Sequence, residues 1–128
     1  MPKLASDDWR GWLEYAKGDY EEAISALNRG SFKEACFHAQ QSCEKLLKAI
    51  LIKRGMFIPI HDLMELAREV GVEDPTILNE LSKLTIHYYA SRYPDATRRA
   101  GVEYCLGIAE ECVEVMRRLW DTLRECLE

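Results

Sequence analysis

No apolar run in this 128-residue sequence approaches the roughly 20 residues that a membrane-crossing helix needs. The opening stretch MPKLASDDW lacks the apolar core of a secretory signal peptide, so the expectation is a cytoplasmic protein with no membrane association. There is no Walker-type phosphate loop and no Gly-x-Ser-x-Gly elbow, which removes the common signatures of nucleotide hydrolases and serine hydrolases. Cys-x-x-Cys is absent too. The five cysteines, Cys36, Cys43, Cys105, Cys112 and Cys126, are odd in number, and this argues against both a disulfide framework and a zinc site. Cys36 and Cys43 are seven residues apart, as are Cys105 and Cys112, which puts each pair on one helix face. A buried free cysteine there behaves as a small hydrophobe. Of the three histidines, His38, His61 and His87, none belongs to a His-x-x-x-His or Glu-x-x-His pair, so neither a metal nor a cofactor is expected. Adjacent carboxylates such as Glu21 with Glu22 and Glu110 with Glu111 point apart on a helix and read as solvated faces.

What is present is ordinary in bulk and uneven in detail. With 48% hydrophobic and 30% charged residues, the chain reads as one globular domain, residues 1–128, large enough to bury a core. A net charge of −5 is no signature of a nucleic-acid binder. Yet Lys45, Lys48, Lys53 and Arg54 fall together without an intervening acid, and Arg92, Arg98 and Arg99 make a second cluster offset only by Asp95. A local basic patch can hold a phosphate even on an acidic protein.

Hydrophobic periodicity predicts four long helices and one short one, with no strand of comparable quality. The first spans about 7–28, with Trp9, Trp12, Leu13, Ala16, Tyr20, Ala23, Ile24 and Leu27 on one arc. The second opens on Ser31-Phe32-Lys33-Glu34, the pattern of a capping box, and runs to about Arg54. A short helix covers about 62–70. A fourth starts at Asp74-Pro75 and ends near Ser91, before Pro94. The last is expected from about Thr97 to Cys126, with Asp95 available as its cap. Long amphipathic helices joined by short loops imply an all-α, up-and-down antiparallel bundle. The last helix carries a second apolar stripe, Tyr104, Ile108 and Val115, roughly opposite its first, and Phe37 lies outside the core arc of the second helix. Apolar surface on two sides needs two partners, and a symmetric homodimer is the inference.

The most informative polar segment is FHAQQSCEKLLKA, residues 37–49. Gln40 falls within the core arc, Gln41 and Glu44 flank it, and Lys48 follows Glu44 at i+4. Such a seam is either a hydrogen-bond network between helices or the lining of a polar pocket. In GMFIPIHDL, His61 or Asp62 is placed to cap the short helix.

The second helix with its Phe37-His38-x-x-Gln41-x-x-Glu44-Lys45-x-x-Lys48-Ala49 pattern, then His61-Asp62-Leu63, then Arg92-Tyr93-Pro94-Asp95, resembles the HEPN domain (higher eukaryotes and prokaryotes nucleotide-binding) over the whole chain. The resemblance implies a helical bundle that dimerises. It also implies a partner, since members of this branch are often encoded beside a minimal nucleotidyltransferase, with which they form toxin–antitoxin-like pairs. Many HEPN proteins are metal-independent ribonucleases with an Arg-x4–6-His signature beside the final helix. Here Arg92 occupies that junction, but Thr97, Arg98 and Arg99 stand where the histidine should fall. Without it, activation of a ribose 2′-hydroxyl lacks its proton-transfer partner, whereas arginine still binds phosphate. The leading expectation is therefore a non-enzymatic nucleotide- or RNA-phosphate-binding homodimer. Arg92, Arg98 and Arg99 would contact the anion, and Gln41, Glu44, Lys45 and Lys48 would shape the cleft. The alternatives are a ribonuclease toxin that pairs Arg92 with a displaced His61 or His38, and a purely structural helical adaptor. Arg54 and His61 share the x6 spacing but lie in the wrong junction for the signature.

Overall fold

The structure is a computed structural model that describes residues 8–127. Among those residues the regular structure is entirely helical: α1 (Trp9–Asn28), α2 (Phe32–Lys53), α3 (Leu63–Val70), α4 (Pro75–Thr85), α5 (His87–Ala90), α6 (Pro94–Ala100), α7 (Leu106–Leu123) and a terminal 3-10 turn (Arg124–Leu127). Four layers of a bundle are made by α1, α2, the α3–α4 pair and α7. The helix at the centre is α2, which packs on α1, α3, α4, α5 and α7. Its sequence explains the position. From Ala35 to Ile52 it is buried almost all round, and Ala35, Ala39 and Ala49 let neighbouring helices approach closely. The core is Leu46, Leu47, Ile50 and Leu51 of α2 against Leu63 and Leu66 of α3, Leu81 of α4, and Met116 and Leu119 of α7.

Polar groups that enter this core are paired, and no buried side-chain nitrogen or oxygen among the described residues lacks a partner. Ser42 Oγ donates to the Ala16 carbonyl at 2.8 Å and accepts from Trp120 Nε1 at 2.9 Å, which ties α1, α2 and α7 together. Asp62 caps α3 by accepting from the Met64 and Glu65 amides. Asp74 caps α4 through the Thr76 amide, with Pro75 in the first helical position.

Four local expectations are corrected. The capping box at α2 does not close: the Ser31 side chain makes no cap bond, and Glu34 is engaged by Arg29, 3.1 Å away, rather than reaching back to the cap. Asp95 is not a cap either; Tyr93 holds the cap position of α6, and Asp95 pairs with Arg98 at 2.6 Å. The expected helix from Thr97 to Cys126 is two helices. Gly101 takes φ +67°, and the Val102 amide reaches back to the Thr97 carbonyl, a Schellman ending that stops α6. The chain then runs without helix to Cys105, whose extended backbone precedes α7. A smaller interruption falls at Ile86, between α4 and α5. There the Thr85 hydroxyl donates to the Leu81 carbonyl and accepts from the Leu63 amide, the kind of back-bonding that bends helices.

The fourth correction concerns the cysteines. Cys36 of α2 and Cys112 of α7 are joined in a disulfide, with Cα atoms 5.2 Å apart. An odd cysteine count disfavours a framework of several bridges but does not prevent one pair from meeting where two helices pack. Cys43 does behave as expected, as a buried hydrophobe whose thiol is pushed well above its usual range by burial. Cys105, by contrast, is exposed.

Candidate functional site

Two features of α2 build the site: a polar row inside the bundle and an aromatic edge where that row meets solvent. Glu44, 6% exposed, is the centre of the row. Its Oε1 accepts from Gln40 Nε2 at 3.0 Å, and its Oε2 accepts from Lys48 Nζ at 2.9 Å. Gln41 Nε2 in turn donates to Gln40 Oε1 at 2.7 Å. The spacing i, i+4 places Gln40, Glu44 and Lys48 one above another on the helix, and burial removes competing water. Lys48 is 4% exposed and lies 5.9 Å from the Trp12 ring centroid, so its charge is held by Glu44 and an aromatic face.

The loop between α2 and α3 delivers His61 to the same carboxylate. His61 Nδ1 lies 3.1 Å and 3.0 Å from the two oxygens of Glu44. Asp62 as the α3 cap and the Leu63 amide bonded to Thr85 fix the end of this loop directly after His61. His61 therefore presents Nδ1 to a buried carboxylate, while Nε2 has no hydrogen-bond partner among the described residues, a geometry that sets its tautomer. Its ring stacks on Tyr88, with centroids 3.9 Å apart and planes inclined by 16°.

Tyr88 is the residue that joins the parts. The Arg92 guanidinium sits 5.0 Å from the Tyr88 centroid, 5.8 Å from that of Phe37 and 5.5 Å from that of Tyr93. Arg92 is exposed and has no carboxylate partner among the described residues. Its position is thus set by aromatic faces, which leave its N–H groups available. Arg92 and His61, from different junctions of the chain, share the same tyrosine ring. Tyr88 is half-buried between these two candidate groups. The i+4 spacing of Tyr88 and Arg92 is the signal that points to this pairing.

The other candidate residues lie elsewhere. His38 Nδ1 and Lys45 Nζ both meet Asp19 of α1, at 2.8 Å and 2.6 Å. That cluster is separate from Glu44, and Asp19 was not singled out by sequence. Arg98 and Arg99 are exposed on α6. Arg98 is engaged by Asp95, whereas Arg99 has no charged partner among the described residues. Lys53 and Arg54 are tied to the ends of other helices: Lys53 Nζ donates to the Cys126 carbonyl, and Arg54 Nη1 donates to that of Val70 at 2.7 Å. Arg54 therefore does not pair with His61, in spite of the spacing.

Comparison with known proteins identifies the family and the fold that carry these residues. The family model described as HEPN domain matches residues 9–126. A protein of Methanocaldococcus jannaschii named "Putative toxin MJ1304" is 24% identical over 131 residues, covering 91% of this chain and 86% of its own. The crystal structure of TT1696 from Thermus thermophilus superimposes with a TM-score of 0.78 at 26% identity, over 92% of this chain and 97% of that one. The crystal structure of ST0689, an archaeal HEPN homologue, gives 0.72 at 27% identity over the full length of both. A helical bundle centred on α2, a matching family model over nearly the whole chain and two solved structures of the same shape lead to one conclusion: this chain belongs to the HEPN domain family.

Proposed function

We propose that the protein is the toxin-like member of a toxin–antitoxin-type pair. It acts as a homodimer that binds nucleotide or RNA phosphate together with a small nucleotidyltransferase partner. The similarity to "Putative toxin MJ1304" supports the toxin-like part of this reading. The binding part is carried by one observation. Arg92 is exposed, free of carboxylates among the described residues, and ringed by Phe37, Tyr88 and Tyr93. A planar guanidinium offers a phosphate two parallel donors, and aromatic faces beside it offer a base a stacking surface. Arg99, and Arg98 once released from Asp95, extend the positive charge along α6. Glu44, held by Gln40 and Lys48 with Gln41 behind Gln40, fixes His61 against the Tyr88 ring of this platform, and Lys45 turns to Asp19 on the α1 side of the helix.

A second reading, a metal-independent ribonuclease, is favoured by the sharing of Tyr88 between His61 and Arg92. A carboxylate-held imidazole and an arginine on one tyrosine ring are the equipment that a 2′-hydroxyl attack needs: His61 Nε2 to move the proton and Arg92 to steady the phosphorane charge.

Both readings are tested with a fluorescent single-stranded oligoribonucleotide in the presence of EDTA. Binding is expected to weaken steeply with salt. Arg92→Ala is expected to lower affinity by about tenfold or more, the scale of a charge-assisted hydrogen bond. Unchanged affinity in that variant overturns the site. Cleavage that disappears in both Arg92→Ala and His61→Ala establishes the ribonuclease; intact RNA leaves the protein a binder.

A further inference from the structure

On the face of the bundle formed by α2, α5 and α7 lies a second cluster that the proposed function does not use. Cys36, Cys112 and His87 are all buried, and their sulfur and ring-nitrogen atoms lie within 4.8 Å of one another. They come from three different helices, with sequence separations that no ligand motif would reveal. We propose that Cys36, Cys112 and His87 form a site for a single zinc ion, occupied when the two thiols are reduced, and that the Cys36–Cys112 disulfide is its metal-free counterpart.

Three features carry the assignment. The first is donor chemistry. Two thiolates and one imidazole suit Zn²⁺, and their two negative charges cancel those of the ion, so the filled site is neutral where charge is costly. Donor atoms around tetrahedral zinc sit about 3.5–4 Å apart, given metal–ligand bonds of roughly 2.0–2.3 Å. Atoms already gathered within 4.8 Å reach that arrangement by side-chain rotation.

The second feature is the histidine's other partner. His87 Nδ1 is hydrogen-bonded to the Tyr104 hydroxyl at 2.7 Å, which leaves the remaining ring nitrogen for a ligand. A histidine that binds metal is typically oriented in this way through its other nitrogen. The tyrosine hydroxyl both donates and accepts, so it holds either tautomer of the ring.

The third is access. Cys112 and His87 line a cleft of about 440 Å³ whose walls include Glu80, Glu110, Glu111 and Glu114. Arg118 neutralises part of this acidity through Glu80 and Glu114. Lys83 lines the cleft too, so its four carboxylates face two cations; the acidic excess favours the approach of a metal ion, and the cleft admits a water as fourth ligand.

The exchange balances with ordinary reagents. A dithiol or phosphine reductant supplies two electrons to the Cys36–Cys112 bond, and two protons from solvent or from the dithiol complete two thiols. The reductant leaves as a cyclic disulfide or as the phosphine oxide, whose oxygen comes from water. Zinc then displaces both thiol protons. The disulfide and the metal are mutually exclusive because they use the same sulfur electron pairs.

The test uses Co²⁺ as a spectroscopic stand-in for Zn²⁺ on the phosphine-reduced protein under anaerobic conditions. One equivalent per chain is expected, with a thiolate-to-cobalt charge-transfer band and tetrahedral visible bands that Zn²⁺ abolishes. The disulfide form should show none of this. Cys36→Ser and Cys112→Ser should each lower affinity by at least tenfold and weaken the charge-transfer band. His87→Asn, which removes a ligand itself, should lower affinity by about a hundredfold or more, at least the upper cost of losing an outer-shell partner, while the charge-transfer band persists at saturation. The double variant Cys105→Ser, Cys126→Ser should bind as wild type. Circular dichroism accompanies each sample. A reduced, helical wild-type protein that takes up no cobalt overturns the proposal. So does a reduced protein that unfolds and is not restored by zinc, and so does binding that follows Cys105 and Cys126 instead.

Discussion

Glu44 shows how much one buried side chain can organise. It receives hydrogen bonds from Gln40, Lys48 and His61, which come from α2 and the loop that follows it. Removing it would leave the Lys48 ammonium buried without a counter-charge, the costly half of any buried ion pair. Glu44→Ala is therefore expected to destabilise the fold by about 3 kcal/mol or more in urea denaturation. Adding Lys48→Met to that variant should recover a large part of the loss, because the stranded charge goes with it. His87 offers a contrast in sign. Burial lowers its pKa to about 4 from an ordinary 6.5, so in the metal-free disulfide form it is neutral when folded and readily protonated when unfolded. Between those two values the unfolded chain binds more protons. Stability is accordingly full above about pH 6.5 and lost as the pH falls toward 4. Of the groups in contact with the imidazole, Tyr104 and the bridged Cys36 and Cys112 do not change charge in that window, and Tyr104 is itself pushed up to about 12 by burial. The cleft beside it also holds Glu80, Glu110, Glu111, Glu114, Lys83 and Arg118, so the His87 share is read as the difference between wild type and variant. His87→Gln should flatten this part of the stability–pH curve, by on the order of 3 kcal/mol at its full extent. An unaltered curve would show that another group governs it.

At the level of helices, the places where sequence reasoning succeeded and failed have separate causes. Periodicity located α1, α2 and α3 to within a residue or two, because each has one dominant apolar arc and a glycine or capping residue at its end. It also put Gln40 in the core, where it lies fully buried. It missed the break between α6 and α7, since Val102, Leu106 and Ala109 keep a helical spacing across residues 103–105, in the stretch after Gly101 where the chain is not helical. A lone glycine inside a periodic run is ambiguous until the backbone is seen to turn left-handed there. Gly101→Ala is expected to destabilise the protein by about 1–2 kcal/mol, the cost of a side chain at positive φ. A stabilised variant would instead mean that the two helices can fuse into one, as the sequence pattern suggests. The candidate site was legible in pieces. Arg92, Glu44 and His61 were each singled out by residue type, but contacts between a loop before α3 and the end of α5 are not written in any local spacing. The same holds for Cys36, His87 and Cys112, where cysteine count pointed away from a bridge that packing created.

For the whole molecule, the open question is what covers the apolar surface left outside the core. The second stripe of the last helix is mostly answered within the chain, since Tyr104, Ile108 and Val115 pack partly against the core. Apart from Tyr15 on α1 and Met56 and Phe57 in the loop after α2, the exposed large apolar side chains lie around α5 and the start of α7, where Ile86, Tyr89, Tyr93 and Leu106 are about half exposed. Tyr89 and Tyr93 bracket Arg92 in sequence, so a surface that buries them also brings the arginine toward its copy. The proposed dimer would then hold two arginines over one seam and double the charge offered to a phosphate chain. Sedimentation equilibrium at micromolar concentration is expected to give twice the chain mass of 14.8 kDa. Tyr89→Glu, which puts a charge among those exposed rings, should shift the mass to that of one chain while helicity is retained. If the dimer is what assembles the anion site, the same variant should weaken oligoribonucleotide binding about as strongly as Arg92→Ala. A Tyr89→Glu protein that is monomeric yet binds RNA as tightly as wild type would place the phosphate site within a single bundle.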